Sequence, residues 1–155
     1  MSESVAIRAI QPADRAAWEV LWANYCAFYK ADVPAETTDL LWGRLLDPCS
    51  PVSGLVAVAT DGALLGLCHY VLHPHTWSPD LLCYLEDLFI QADQRGNGIG
   101  RALIGHLCDM AASQGWRRVY WHTEEENATA RGLYDKVTGG RDGYVRYCVS
   151  VPERQ

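Results

Sequence analysis

Residues 5–10, VAIRAI, alternate weakly between apolar and polar and predict a first strand. Pro12 then suits the first turn of a helix running to about Lys30, with Trp18, Leu21, Trp22, Tyr25 and Tyr29 recurring on one face. A second helix is expected over 36–46, ahead of the breaker cluster DPCSPVSG at 47–54. The stretch GLVAVATDGALLGLCHYVLH predicts two strands joined at Asp61-Gly62, and HPHTWSPD at 73–80 predicts a loop from its two prolines. LLCYLEDLFI at 81–90 is an apolar run broken only by Glu86-Asp87, as in a central strand buried on both faces. From Gly98 the period becomes helical: Ile99, Ala102, Leu103, Leu107, Met110 and Ala111 form one stripe, which Gly115 closes. A strand at 117–123, a helix over about 127–137 and a closing strand at GYVRYCVSV complete the chain. This order predicts one α/β domain over residues 1–155, a mixed central sheet flanked by helices.

Composition narrows the function classes. A chain of 155 residues with 49% hydrophobic content fills one core, and two domains would be a squeeze. The formal charge of −6 offers no basic face for nucleic acid, so no nucleic-acid partner is expected. The opening MSESVAIRAIQPADR has no basic region followed by a long apolar run, which argues against a leader or membrane anchor. The six cysteines contain no CxxC pair, so no metal is expected and a reducing, cytoplasmic setting follows. His69, His73 and His75 spell H-x3-H-x-H, but a polar edge strand and turn account for them better than a metal site. Cys68 and His69 are neighbours on a strand, point to opposite faces and cannot form a nucleophile and base pair.

The densest chemical signal is QRGNGIGR at 94–101, a glycine-rich turn between a strand and a helix. The unpaired N–H groups of a first helical turn, with the positive end of the helix dipole, make an anion site. The dinucleotide pattern G-x-G-x-x-G fails because Arg101 stands where its third glycine belongs, and the Walker pattern fails at the same position. R-x-x-G-x-G, from Arg95 to Gly100, does fit, as does N-A-T-A-R-G-L-Y at 127–134 further on.

With these two motifs and YLEDLFI ahead of the loop, the chain resembles the GCN5-related N-acetyltransferase (GNAT) superfamily, close to its spermidine/spermine and histone or D-amino-acid acetyltransferase branch. The resemblance covers essentially the whole chain. It implies a single-domain GNAT fold, a sheet of about six to seven strands with about four helices, and acetyl-coenzyme A as co-substrate. It further implies that the loop, Arg95, Gly96, Asn97, Gly98, Ile99, Gly100 and Arg101, holds the pyrophosphate. Leu88, Phe89 and Ile90, on a strand that splays from its neighbour, would hold the pantetheine arm, and Asn127 and Ala130 would also lie near the cofactor. Homodimers are frequent in the family.

Acetyl transfer needs a neutral amine, yet an alkyl ammonium of pKa roughly 10 is protonated at pH 7 and must lose a proton. Glu86 is the candidate base, acting through water and also gripping a cationic substrate. Strand alternation places Tyr84, Glu86 and Leu88 on one face and Cys83, Leu85 and Asp87 on the other, so only one of the acids faces the cleft. A plain strand-end acid or an ion pair is the other account of Glu86. Tyr134 is the candidate acid for the leaving thiolate, and otherwise part of a buried helix stripe. Asn127 either caps its helix or touches the cofactor, and exposed arginines such as Arg95 and Arg101 often do nothing specific. Phe28 and Tyr29, at the end of the first helix, are candidate acceptor contacts. Lys30 stands where a polyamine enzyme would carry acids, which favours a small-molecule primary amine. The competing readings are a lysine or N-terminal protein acetyltransferase, which needs an open groove, and a coenzyme A-binding sensor without turnover.

Overall fold

The computed structural model describes residues 4–154; Met1–Glu3, part of the stretch read for a leader, lie outside the described residues. It contains strands β1 (Ala6–Ala9), β2 (Val52–Val58), β3 (Leu64–Pro74), β4 (Leu81–Ile90) and β5 (Val119–Tyr120), with helices α1 (Arg15–Phe28), α2 (Ala35–Leu46), α3 (Ile99–Gln114) and α4 (Ala128–Thr138). The strands form one mixed sheet in the order β1-β2-β3-β4-β5, antiparallel up to β4 and parallel between β4 and β5. The chain divides into two units after Trp121. The sheet and α1 to α3 belong to the first unit, and α4 belongs to the second.

Hydrophobic patterning explains the packing of the first unit. Trp18 and Leu21 of α1, Trp42 and Leu45 of α2, and Val56, Leu67 and Phe89 of the sheet form one buried cluster. Truncating a fully buried tryptophan such as Trp18 would cost about 3–5 kcal/mol. α3 buries Ile99, Gly100, Leu103, Ile104, Leu107 and Ala111, a stripe that takes in Ile104 while leaving Ala102 exposed and Met110 half-buried. The hairpin between β2 and β3 turns where expected, with Gly62 at φ +90°. His73 and Pro74 extend β3 instead of opening the loop, pairing with Leu82 and Leu81.

Among the described residues five strands form, fewer than the six to seven expected. The strand expected over 117–123 shortens to Val119–Tyr120, and GYVRYCVSV is not a strand. Strand propensity is satisfied only by a partner's ladder, and among the described residues this segment pairs with none. Tyr147 and Val149 accordingly stay 91% and 88% exposed.

Two local features carry stability predictions. A 3₁₀ turn at Pro12–Asp14 leads into α1, and the Asp14 carboxylate accepts two hydrogen bonds from Arg8 (2.7 and 2.9 Å) and one from the Gln11 N–H (2.8 Å). The Arg8 hydrogen bonds hold its carboxyl below the ordinary 3.8 despite burial. A depressed carboxylate contributes stability above its unfolded value, and that contribution is lost as pH falls through the folded value. Asp14→Asn is expected to cost about 1–2 kcal/mol at neutral pH and to flatten the fall in melting temperature below pH 3.8, read by thermal melts across pH. At the other end of α1, Ala31 N–H bonds Cys26 O at 2.9 Å and Lys30 adopts φ +52°, a left-handed position suited to glycine. Lys30→Gly is therefore expected to raise unfolding stability by about 0.5–1 kcal/mol in denaturant titrations.

Candidate active site

The loop read from QRGNGIGR is built by its glycines. Gly96 and Gly98 sit at φ +83° and +79°, a left-handed conformation that L side chains rarely adopt. Around both there is open space, with no heavy atom within 4 Å of where a Cβ would stand. Gly98 is the N-cap of α3, and its carbonyl accepts the Ala102 N–H at 2.9 Å, which leaves the N–H groups of Ile99, Gly100 and Arg101 as first-turn donors. A curled backbone ending in a helix N-terminus suits a pyrophosphate, and open space at both glycines fits a bulky guest. Gly98→Ala must force a left-handed alanine, a strain of about 1–2 kcal/mol; if the turn holds the co-substrate that the resemblance implies, acetyl-coenzyme A affinity should fall about 10-fold in a calorimetric titration.

Arg95 takes a different place from the loop amides. Its Nε donates to Ile90 O at 3.1 Å, and its guanidinium lies over the rings of Phe28 and Phe89, 5.5 and 5.4 Å from their centroids. The side chain thus ties the loop to the end of α1 and to β4. The Arg101 side chain is exposed.

β4 delivers the acids, and here the expected alternation is wrong. His69 pairs with Asp87 and Tyr70 with Leu85, so Glu86 is an extra residue bulged out of the ladder. Cross-strand partners share a face, so the bulge reverses the parity beyond it: Asp87 and Phe89 join Tyr84, while Leu88 joins Leu85 and Cys83. Glu86 itself is exposed. On the other side, among the described residues, the ladder to β5 contains only Cys83 and Tyr84, so Leu88, Phe89 and Ile90 pair in the sheet with β3 alone.

His69 is no edge-strand residue. It is 1% exposed in the central strand β3, accepts the Trp18 indole N–H on Nε2 at 2.9 Å and faces Asp87 through Nδ1, also at 2.9 Å. Removing the Trp18 donor would leave a buried acceptor unsatisfied, a loss of about 1–3 kcal/mol. Burial first, then the Asp87 charge and hydrogen bonding toward that carboxylate, push the Tyr25 phenol far above the ordinary range, with smaller pushes from Tyr29 and Glu86. The Tyr25 ring lies between those of Tyr29 and Phe89, at centroid separations of 5.0 and 6.2 Å. Sequence reasoning assigned no role to Tyr25, His69 or Asp87 in the site; the only signal was the aromatic spacing along α1. Beside these groups a groove of about 390 Å³ runs between α1 and α2, lined by Glu19, Trp22, Cys26, Asp32 and Thr38 among others.

His73 and His75 are likewise engaged, His73 Nε2 with the Tyr120 hydroxyl at 2.6 Å and His75 Nδ1 with Ser78 Oγ at 3.2 Å. Among the described residues no group of three or more His, Cys, Asp or Glu is placed to hold a metal ion, and no helix is long and apolar enough to cross a membrane.

The remaining candidates lie in the second unit. Asn127 caps α4, its Oδ1 accepting the Ala130 N–H at 3.3 Å. Tyr134 lies half-buried within α4, and its carbonyl accepts the Thr138 hydroxyl at 2.8 Å.

The family model described as the Acetyltransferase (GNAT) family matches residues 16–139. The chain is 33% identical over 152 residues to a D-amino-acid N-acetyltransferase of Saccharomyces cerevisiae, covering 93% of this chain and 94% of that protein. Its fold is that of a ribosomal-protein-alanine N-acetyltransferase from Brucella melitensis biovar Abortus 2308, at TM-score 0.77 and 21% identity over 96% of this chain and all of the other. An aminoglycoside acetyltransferase from an uncultured soil metagenomic sample, solved with sisomicin, shares the fold at TM-score 0.79 and 16% identity over 96% and 97% of the two chains. With a family model spanning most of its length and a relative aligned almost end to end, this enzyme belongs to the GNAT family of N-acetyltransferases.

Proposed function

We propose that this N-acetyltransferase moves acetyl from acetyl-coenzyme A to the primary amine of a small molecule by direct attack in a ternary complex. The observation that carries the reading is the juxtaposition on one strand: β4 bulges at Glu86, loses its β5 ladder after Tyr84, and runs into the left-handed Gly96–Gly98 turn that opens α3. The turn and the first N–H groups of α3 would take the pyrophosphate, and the β4 edge at Leu88 to Ile90 the pantetheine arm. Glu86 would accept one ammonium proton, through water, and the freed lone pair on nitrogen would then bond the thioester carbonyl carbon. The carbon–sulfur bond then breaks, the Tyr134 phenol protonates the departing thiolate, and the second proton that the nitrogen sheds as the amide forms returns through solvent to the phenolate. The co-substrate supplies the activated acetyl group.

The exposed Glu86 carboxylate next to Asp87 on β4, with the exposed Phe28 and Tyr29 rings at the end of α1, supports a cationic acceptor. The D-amino-acid specificity of the yeast relative puts amino acids first among candidates. We read the enzyme as cytoplasmic, consistent with six free thiols, and as a homodimer that covers the apolar row of Tyr144, Tyr147, Val149 and Val151. The experiment is thiol release from acetyl-coenzyme A with D- and L-amino acids, polyamines, aminoglycosides and lysine peptides. Turnover on one class of small amine is the expected result. Turnover on peptides alone would make it a protein acetyltransferase, and binding without turnover a sensor.

A further inference from the structure

The bulge that presents Glu86 lacks its own explanation in the ladder. A strand that carries one extra residue gives up hydrogen bonds there, so other groups must select its shape. Directly across from it stands His69, wholly buried, with one ring nitrogen 2.9 Å from Asp87 Oδ2 and the other 2.9 Å from the Trp18 indole. An indole N–H can only donate, so Nε2 carries the lone pair and the ring hydrogen sits on Nδ1, aimed at Asp87. The Asp87 charge also acts on the Tyr25 phenol. Both ring nitrogens of His69 are thus committed, which leaves it no lone pair to serve an acceptor.

We propose that the buried Trp18–His69–Asp87 chain is a positioning device that pins the bulge and so sets the direction in which Glu86 is presented. The chain begins in α1, the helix that also carries Tyr25, Phe28 and Tyr29, so α1 and the base are held in one register. The inference rests on Glu86 acting as the base. His69 and Trp18 act only through that carboxylate, which predicts that their loss matters while Glu86 is present and is silent once it is gone.

The test compares wild type, His69→Leu and His69→Gln, each also with Glu86→Gln. Readouts are steady-state kinetics with the best acceptor, calorimetry with acetyl-coenzyme A, and amide hydrogen exchange along β4 by NMR. His69→Leu should lower kcat about 10- to 100-fold with cofactor Kd unchanged, as misplacement of a catalytic group does. Exchange should quicken at residues 85–88 and stay slow at 82–83. His69→Gln, which offers an acceptor to Trp18 and a donor to Asp87, should recover most of kcat. In the Glu86→Gln background His69→Leu should change kcat less than about 2-fold, the non-additivity expected of residues acting as a unit. Losses that multiply across the two backgrounds, or full kcat in a folded His69→Leu, overturn the proposal. Should His69→Leu fail to fold, Trp18→Phe removes the indole donor while keeping an aromatic ring in the core, and must show the same non-additivity. A wild type that binds acetyl-coenzyme A yet acetylates nothing overturns the proposed function instead; quickened exchange at 85–88 would then still establish the pinning, and unchanged exchange would overturn it.

Discussion

Glu86→Gln is expected to lower kcat by about 10²- to 10⁴-fold at pH 7, the range for a lost general base, while leaving acetyl-coenzyme A affinity within about 2-fold. The glutamine keeps the size of the side chain, and removes its negative charge together with its capacity to accept a proton. Because an amine of pKa roughly 10 releases more free base as pH rises, the deficit should shrink steadily toward alkaline pH. Kinetics across pH with a single acceptor check this. A deficit that is constant with pH would mean that Glu86 binds the ammonium and does not deprotonate it.

Tyr134→Phe carries the second large effect. Removing one hydroxyl oxygen from α4 takes away the proton for the departing thiolate, and kcat should fall by about 10²- to 10³-fold. The Tyr134 carbonyl, which accepts the Thr138 hydroxyl in the last turn of α4, is untouched. The comparison that checks the role uses acetyl donors with better leaving groups, on which Tyr134→Phe should regain most of its rate. Equal loss on every donor would assign the phenol to packing.

How far these residues could be read from the sequence follows from how local their structural causes are. The Gly96–Gly98 turn and the Asn127 cap depend on neighbours within a few positions, and spacing alone places them. The bulge at Glu86 has no such signature: alternation assumes a regular ladder, and the residue that breaks it is decided by pairing with a strand about 17 positions earlier. His69 misled for the same reason, because its partner Trp18 lies 51 residues away and turns a polar residue into a core one. Arg95 shows a third limit. Its motif position is legible, but its stacking on Phe28 and Phe89 depends on where α1 ends against β4.

The closing segment failed for another reason. GYVRYCVSV has the composition of a strand, yet a strand exists only where a neighbour offers an edge, and composition does not supply one. The helix patterns fared better because an α-helix satisfies its own backbone, so amphipathic spacing locates α1, α2 and α3 to within a few residues.

The most direct test of the central claim is one calorimetric titration of acetyl-coenzyme A into wild type and Gly98→Ala, followed in the same samples by thiol release on adding a D-amino acid panel. The account predicts saturable one-to-one binding, weakened about 10-fold by the alanine, and turnover that begins only when an amine is present. No binding to the wild type, or equal binding to both proteins, would contradict it, because the left-handed glycine turn would then not be what holds the co-substrate.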